Sequence, residues 1–280
     1  MSTSASARDR IEFIMRDLSR RYLPAGDLRE GGTALAKIVA EREDPFLVLI
    51  STILSQRTRD EKTEIASRRL FAKYDTPQSI ADADAADLER LIKPVGFYRQ
   101  KAVQIQKVSR TLLDRHGGSV PRTYEELMEL PQVGPKTANC VLVYGYGEPR
   151  IPTDTHVHRV SNRLGLVRTK SPEQTEQRLM RTVPKDYWLH INELFIRFGK
   201  DICRPIGPRC PECSFTKFCR HYPRTKWAKA VRRHPRAERA HPPRGGTSGH
   251  EGRGGHVDDA LSVLDRSDRT SCPRFRHRAP

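Results

Sequence analysis

An all-α fold is predicted for about the first 223 residues of this 280-residue chain, on three observations. Apolar residues recur at helical spacing in segment after segment, strand-like alternation is absent, and the segments are separated by Pro/Gly turns and polar caps. Residues 224–280 differ in kind. Arg, Pro, Gly and His dominate there, as in Pro242-Pro243-Arg244-Gly245-Gly246 and Gly252-Arg253-Gly254-Gly255, with almost no apolar periodicity. Such a stretch cannot bury enough surface to order itself, so a disordered basic tail is expected.

Taken in order, residues 8–22 make an amphipathic helix through Ile11, Ile14, Met15 and Leu18. Residues 45–54 follow, with Phe46, Leu49, Ile50, Ile53 and Leu54 on one face. Further helices are predicted at 60–73, 85–93 and 99–116. A short helix over 124–129 runs into a Pro/Gly turn, and Pro135 is well placed to open the next helix, which Ala138, Val141, Leu142 and Tyr144-Gly145 continue and end. Residues 154–164, 172–183 and 186–198 complete the set. This much chain allows one large domain or two small ones.

The formal net charge of +17 suits a polyanionic partner. Residues 224–280 carry fourteen Lys/Arg against six Asp/Glu, which leaves +9 on the rest, so the foldable part is basic in its own right. No run of eighteen apolar residues exists and the N-terminus lacks an apolar signal core. The expectation is a monomer in the cytoplasm, associated with the nucleoid, or in the nucleus, with no membrane partner.

Cys203, Cys210, Cys213 and Cys219 lie within seventeen residues at C-x6-C-x2-C-x5-C spacing. Four thiolates so close can hold a tetrahedral zinc, an iron–sulfur cluster, or form two disulfides. Only Cys210 and Cys213 form the short knuckle a zinc ribbon repeats. The first gap, Arg204-Pro205-Ile206-Gly207-Pro208-Arg209, is a stiff loop with a basic residue at each end. Of the remaining cysteines, Cys140 reads as a small buried hydrophobe and Cys272 has no assigned role.

Upstream stands Leu130-Pro131-Gln132-Val133-Gly134-Pro135-Lys136-Thr137-Ala138. A helix, tight hairpin and helix can grip a phosphate with backbone N–H groups, here around Gln132, Val133 and Gly134, beside a helix N-terminus. The same pattern also serves as a plain helix connector. Lys136 in the second helical position is either a phosphate contact or a nucleophile, and the second role requires its pKa to fall, as a helix start and partial burial would favour. Asp154, in Ile151-Pro152-Thr153-Asp154-Thr155-His156-Val157-His158, is either an N-cap alone or a cap that also supplies charge to a reacting sugar. His156 and His158 are read as structural groups around it.

Together the cysteine quartet, the hairpin with Lys136, and the Asp154 segment resemble the endonuclease III branch of helix-hairpin-helix DNA glycosylases, over residues 8–223. Gln132 stands where that family usually has glycine, and Thr153 where it has valine. The resemblance implies a two-domain helix-hairpin-helix DNA glycosylase fold. Residues 35–148 would form a six-helix barrel ending in the hairpin at about 124–145, and residues 1–34 with 149–223 an iron–sulfur cluster domain. It implies a [4Fe–4S] cluster on the four cysteines, Lys136 as the amine that attacks the sugar, Asp154 as its carboxylate, and damaged double-stranded DNA as substrate.

The resemblance extends to two loops that probe the duplex. Leu54-Ser55-Gln56-Arg57-Thr58-Arg59-Asp60 aligns without gaps to the family's Leu-Ser-x-Gln-x-x-Asp segment, placing Arg57, rather than Gln56, where a glutamine normally fills the hole left by the extruded nucleotide. Phe97, in Val95-Gly96-Phe97-Tyr98, matches an apolar wedge. Arg57 and Phe97 are otherwise readable as surface and core residues. Arg204 and Arg209 of the cysteine loop are further expected DNA contacts. The implied activity is a bifunctional DNA glycosylase/AP lyase for oxidised pyrimidines. The alternatives are a monofunctional mismatch glycosylase and a non-catalytic DNA-binding or redox-sensing cluster protein.

Overall fold

The computed structural model describes residues 7–23 and 32–233. Among these residues every regular element is helical and none is a strand. The order is α1 (Ala7–Tyr22), α2 (Ala34–Glu41), α3 (Pro45–Ser55), α4 (Asp60–Phe71), α5 (Pro77–Asp82), α6 (Ala85–Ile92) and α7 (Tyr98–His116). It continues through α8 (Tyr124–Glu129), α9 (Pro135–Cys140), α10 (Thr155–Arg163), α11 (Pro172–Thr182), α12 (Trp188–Asp201) and α13 (Lys226–Arg233). None of these helices is long and apolar enough to cross a membrane.

Local chemistry explains most of the boundaries. Asp44 accepts the Phe46 N–H at 2.8 Å and Pro45 opens α3, whose residues Phe46 through Leu54 are all buried. That buried and mostly apolar helix is the axis of a first core, which gathers side chains from Ile38 to Tyr144. Thr123 caps α8 and Ser171, followed by Pro172, caps α11. Gly117, at φ 58°, closes α7 with the left-handed turn that glycine adopts at no steric cost.

A second core is separate. It joins Ile11, Ile14, Met15 and Leu18 of α1 to Val157, Val160, Leu179, Ile191, Phe195, Phe198 and Phe215. Edge-on contacts of Phe215 with Phe13 and Phe198, at ring centroids of 5.9 and 5.4 Å, consolidate its centre. The N-terminal helix therefore belongs with the C-terminal half of the chain.

Polar contacts tie the two cores. Glu193, fully buried on α12, accepts both the N–H and the hydroxyl of Thr33 at 2.8 Å and pairs with Arg197 at 2.7 Å. The Tyr144 hydroxyl donates to Asn192 Oδ1 at 3.1 Å, and Asn192 Nδ2 to the Pro152 carbonyl at 2.7 Å. Asn139 donates to Glu176 at 2.8 Å, and Lys200 pairs with Asp60.

Four elements differ from expectation. Helices α2 and α5 fall outside the predicted set, although the Thr33 cap and the Thr76/Ser79 capping box with Pro77 mark their starts. The helix opened by Pro135 widens to a π-helix at Val141–Gly145 after its first turns. Ordered structure also runs past 223 into the stretch expected to be disordered: α13 packs back through buried Ala228, and the Trp227 indole N–H donates to the Pro208 carbonyl at 3.0 Å. One amphipathic turn with a tryptophan suffices there. Residues 234–280, with Cys272 and the Pro/Gly/Arg runs, lie outside the described residues.

Candidate active site and cysteine loop

Lys136 is the second residue of α9. Gly134 is the N-cap and Pro135 the first helical residue, so the lysine projects from the helix start, half-buried. Asp154 caps α10 with one oxygen: Oδ1 accepts the N–H groups of His156 and Val157, both at 2.8 Å. Oδ2 has no hydrogen-bond partner among the described residues. A doubly bonded cap fixes the side chain while the carboxylate keeps a face for other work.

The electrostatics correct one expectation. Burial disfavours the Lys136 ammonium, but Cys140 and Asp154, with a smaller push from Asp60, outweigh it and hold the pKa above the ordinary lysine value. The helix start does not deliver a depressed amine. Cys140, one turn further along α9, is fully buried, and burial pushes its thiol up. With Cys140 a neutral thiol, the charge that faces the resting ammonium is chiefly that of Asp154, and the lysine must lose a proton before attack.

Both histidines near Asp154 serve the framework. His156 Nδ1 accepts from Arg159 Nη2 at 3.1 Å, and burial, reinforced by Arg159 and Lys200, lowers its pKa despite Asp154. His158 Nδ1 lies 2.6 Å from the Thr175 hydroxyl. Behind them, a Cβ on Gly199 would come within 2.7 Å of His156 Nδ1 and 2.9 Å of Arg159 Nη2, so α12 approaches α10 with no room to spare.

In the hairpin, the Val133 N–H is spent on the Leu130 carbonyl at 3.2 Å, so it is not one of the free donors expected there. The Gly134 N–H has no acceptor among the described residues. Gln132 is exposed at φ 64°, the strained left-handed conformation that glycine would take more easily. Its carbonyl accepts from Gln56 Nε2 at 3.5 Å, which brings the hairpin beside the loop after α3. Arg57 (φ 52°) and Phe97 (φ 58°) are the other two non-glycine residues at positive φ among the described residues. Both are exposed, and the Arg57 guanidinium lies 6.0 Å from the Phe97 ring centroid. All three strained positions fall at places read from the sequence as DNA-contacting, a clustering typical of functional sites.

The four cysteines are free thiols lining one cavity, with Leu164, Phe198, Ile202 and Pro208 as its apolar wall. Among the described residues no group of three or more His, Cys, Asp or Glu is drawn together to hold a metal ion. Burial raises the pKa of Cys210 and Cys219, and pushes Cys213 up to about 12. Buried thiolates therefore need compensating positive charge, and several donors already aim at the sulfurs. Arg163 Nη1 lies 3.6 Å from Cys203 Sγ, and backbone N–H groups of Phe215 and of His221 and Tyr222 serve Cys213 and Cys219. Sulfur-directed N–H groups around four cysteines in an apolar wall fit an iron–sulfur cluster.

Arg163 was not singled out in the sequence; besides Cys203 it holds the carbonyls of Arg204 and Pro205, at 2.7 and 3.1 Å. Arg204 is exposed, with Nε on the carbonyls of Lys200 and Asp201 at 3.1 Å. Arg209 is spent inside the loop: it pairs with the Asp201 carboxylate, and with Glu212 at 3.2 Å.

Residues 50–185 match the family model described as "HhH-GPD superfamily base excision DNA repair protein". The chain is 54% identical over 181 residues to endonuclease III of Thermotoga maritima, covering 65% of this chain and 85% of that protein. It is 41% identical to endonuclease III of Bacillus subtilis over 63% of this chain and 81% of that one. Among solved structures, a non-covalent endonuclease III–DNA complex superposes with a TM-score of 0.69 at 34% identity, covering 82% of this chain and 100% of the other. A trapped endonuclease III–DNA covalent intermediate gives 0.68 at 34% identity, covering 79% and 99%.

Fold and site thus define a helix-hairpin-helix DNA glycosylase of base excision repair. Within that class the chain belongs to the endonuclease III family, DNA glycosylases with AP lyase activity.

Proposed function

We propose that this enzyme removes oxidised pyrimidines from duplex DNA and cleaves the resulting abasic site through a Schiff base on Lys136. The observation that carries the reading is an Asp154 carboxylate whose charge acts on Lys136, at the start of α9, and whose second oxygen has no hydrogen-bond partner among the described residues. A base stacked in a duplex hides C1′ from any amine, so the nucleotide must first be extruded. Lys136, once deprotonated, bonds its nitrogen to C1′ as the C1′–N bond to the base breaks, and the base leaves with that electron pair and a proton. Opening of the sugar ring gives an imine. Loss of a C2′ proton then expels the 3′ phosphate, and water releases the amine. Asp154 stabilises the positive charge that builds on the sugar and takes up protons between steps.

Arg57 and Phe97 enter the duplex at the extruded nucleotide, Arg57 facing the orphaned base. Gln56, Gln132, Val133 and Gly134 line the backbone side, and Arg204 lies on the DNA face of the cysteine loop. Arg209 shapes that loop. The four cysteines hold a [4Fe–4S] cluster, which supplies no step of the reaction and gives the loop its shape. The enzyme acts as a monomer.

Borohydride reduction on abasic DNA tests this reading. A covalent adduct mapping to Lys136, lost in Lys136→Ala, supports it. Trapping at full yield in Lys136→Ala assigns the chemistry to another amine, and base release without any trapping places the enzyme in the monofunctional branch.

A further inference from the structure

Lys101, the fourth residue of α7, is only 3% exposed and forms no ion pair among those of the described residues. Its ammonium meets three neutral oxygens: the carbonyls of Leu54 and Gln56, at 2.7 and 2.6 Å, and the Thr58 hydroxyl at 3.0 Å. Three N–H donors are thereby matched by three acceptors. Two of those acceptors are carbonyls at the end of α3 that have lost their helical partners. A buried cation without a counterion is costly, and such groups persist where they fix a geometry that apolar packing would not.

That geometry joins two loops. The Thr58 hydroxyl that receives Lys101 also accepts the Gly96 N–H at 3.2 Å. The backbones touch at the same place, since a Cβ on Gly96 would stand 3.2 Å from the Arg57 carbonyl oxygen. Residues 54–58 and 96–97 are thus fastened about one ammonium. Arg57 and Phe97 project from the two loops in left-handed backbone, Phe97 with 56% of its surface exposed.

We propose that Lys101 is a positioning residue for nucleotide extrusion: it holds Arg57 and Phe97 at one fixed spacing, so that the two enter the duplex as a single two-pronged probe. The inference rests on the reading of Arg57 and Phe97 as DNA-inserting residues, and it adds the part that makes them act together. Lys101 touches neither the base nor the sugar. Its effect belongs to substrates in which a paired nucleotide must be turned out, and not to the Lys136 chemistry.

The test compares single-turnover excision of thymine glycol from a duplex with excision from the same single strand, for full-length wild type, Lys101→Met and Lys101→Arg. Lys101→Met is expected to slow the duplex reaction about tenfold more than the single-strand one, the scale of lost hydrogen bonds to a charged group. Lys101→Arg, which keeps a buried cation and its donors, is expected to recover part of that loss. A 2-aminopurine next to the lesion should lose much of its fluorescence rise on binding to Lys101→Met. Equal slowing on both substrates, or none, overturns the proposal. Should Lys101→Met fold poorly, Gly96→Ala spreads the same two loops without touching the lysine. It is expected to give the same duplex-specific loss, and wild-type behaviour there overturns the proposal too. Phe97→Ala separates the two ideas. If it treats both substrates alike, the insertion reading itself fails. If it shows the duplex-specific loss while Lys101→Met does not, only the role of Lys101 fails.

Discussion

Asp154 is bound to its own helix through Oδ1 alone, and the charge of that same carboxylate bears on Lys136, eighteen residues earlier. The residue that starts α10 also favours the charged form of the amine at the start of α9. Cap and electrostatic partner are therefore one group, and the two roles separate only when the charge is removed and the hydrogen bonds are kept.

Asp154→Asn makes that separation. The amide oxygen still accepts from His156 and Val157, so α10 and the melting temperature should hold. Lys136 loses a negative neighbour, so its pKa falls, and the acidic limb of the trapping profile should move to lower pH. The maximal rate should nevertheless drop by about 100-fold or more, because stabilisation of the sugar cation goes with the charge. A single-turnover pH series shows both effects. An unmoved limb would mean that the carboxylate does not set the amine.

Arg57→Gln should leave cleavage of abasic sites within a few fold while reordering the preferred base opposite the lesion. On the proposed reading Arg57 faces the space left by the extruded nucleotide, where a guanidinium and an amide offer an orphan base different donors. Kinetics on duplexes carrying each of the four opposite bases measure the reordering. An unchanged ranking would make Arg57 an ordinary surface residue.

Much of this site is legible in the residues themselves. Lys136 and Asp154 stand in patterns that mark helix starts, and the four cysteines announce their shared cavity by spacing alone. What stays hidden is long-range or conformational. Nothing in the sequence tells that Lys101 reaches the carbonyls of Leu54 and Gln56, or that Arg163 lies against Cys203. Helix position alone gives the wrong sign for the Lys136 shift, because it leaves out Cys140 one turn along the same helix and the carboxylate of Asp154 from a later segment. The donors expected around the hairpin were overcounted because the Val133 N–H turns back on its own turn. Helices α2 and α5 are marked only by their Thr33 and Thr76 caps, and in α13 four basic residues of eight mask one anchoring tryptophan.

Purified protein should be brown, with broad absorbance near ~400 nm and about four irons per chain, as thiolate-ligated [4Fe–4S] centres are. Cys210→Ser should lower soluble yield and DNA affinity, because the loop from Cys203 to Cys213 loses a ligand that shapes it. Iron and zinc analysis decides the matter, and stoichiometric zinc without iron would refute the assignment.

Lys101 carries a pH signature of its own. Burial lowers its pKa from 10.5 to about 8. Between those values the unfolded chain still binds a proton that the folded protein has released, so unfolding becomes harder as pH rises. Wild type should gain stability on Lys101→Met between about pH 8 and pH 10.5, by up to about 3 kcal/mol at one pH unit per 1.36 kcal/mol. Urea unfolding of both proteins across that range measures the gain. A pH-independent difference would mean that the lysine is not buried as a cation.

Gly199 gives the site a property that neither Lys136 nor Asp154 has by itself. With the place of any Cβ taken up by His156 Nδ1 and Arg159 Nη2, a larger residue at 199 must displace both side chains at the start of α10. His156, which donates its backbone N–H to Asp154, thus has its side chain hemmed in by a residue forty-five places beyond Asp154 along the chain. Full randomisation of codon 199 under selection for repair should return glycine alone. Alanine would survive as folded, soluble protein with a displaced carboxylate, an inactive form of the enzyme that a stability screen would pass.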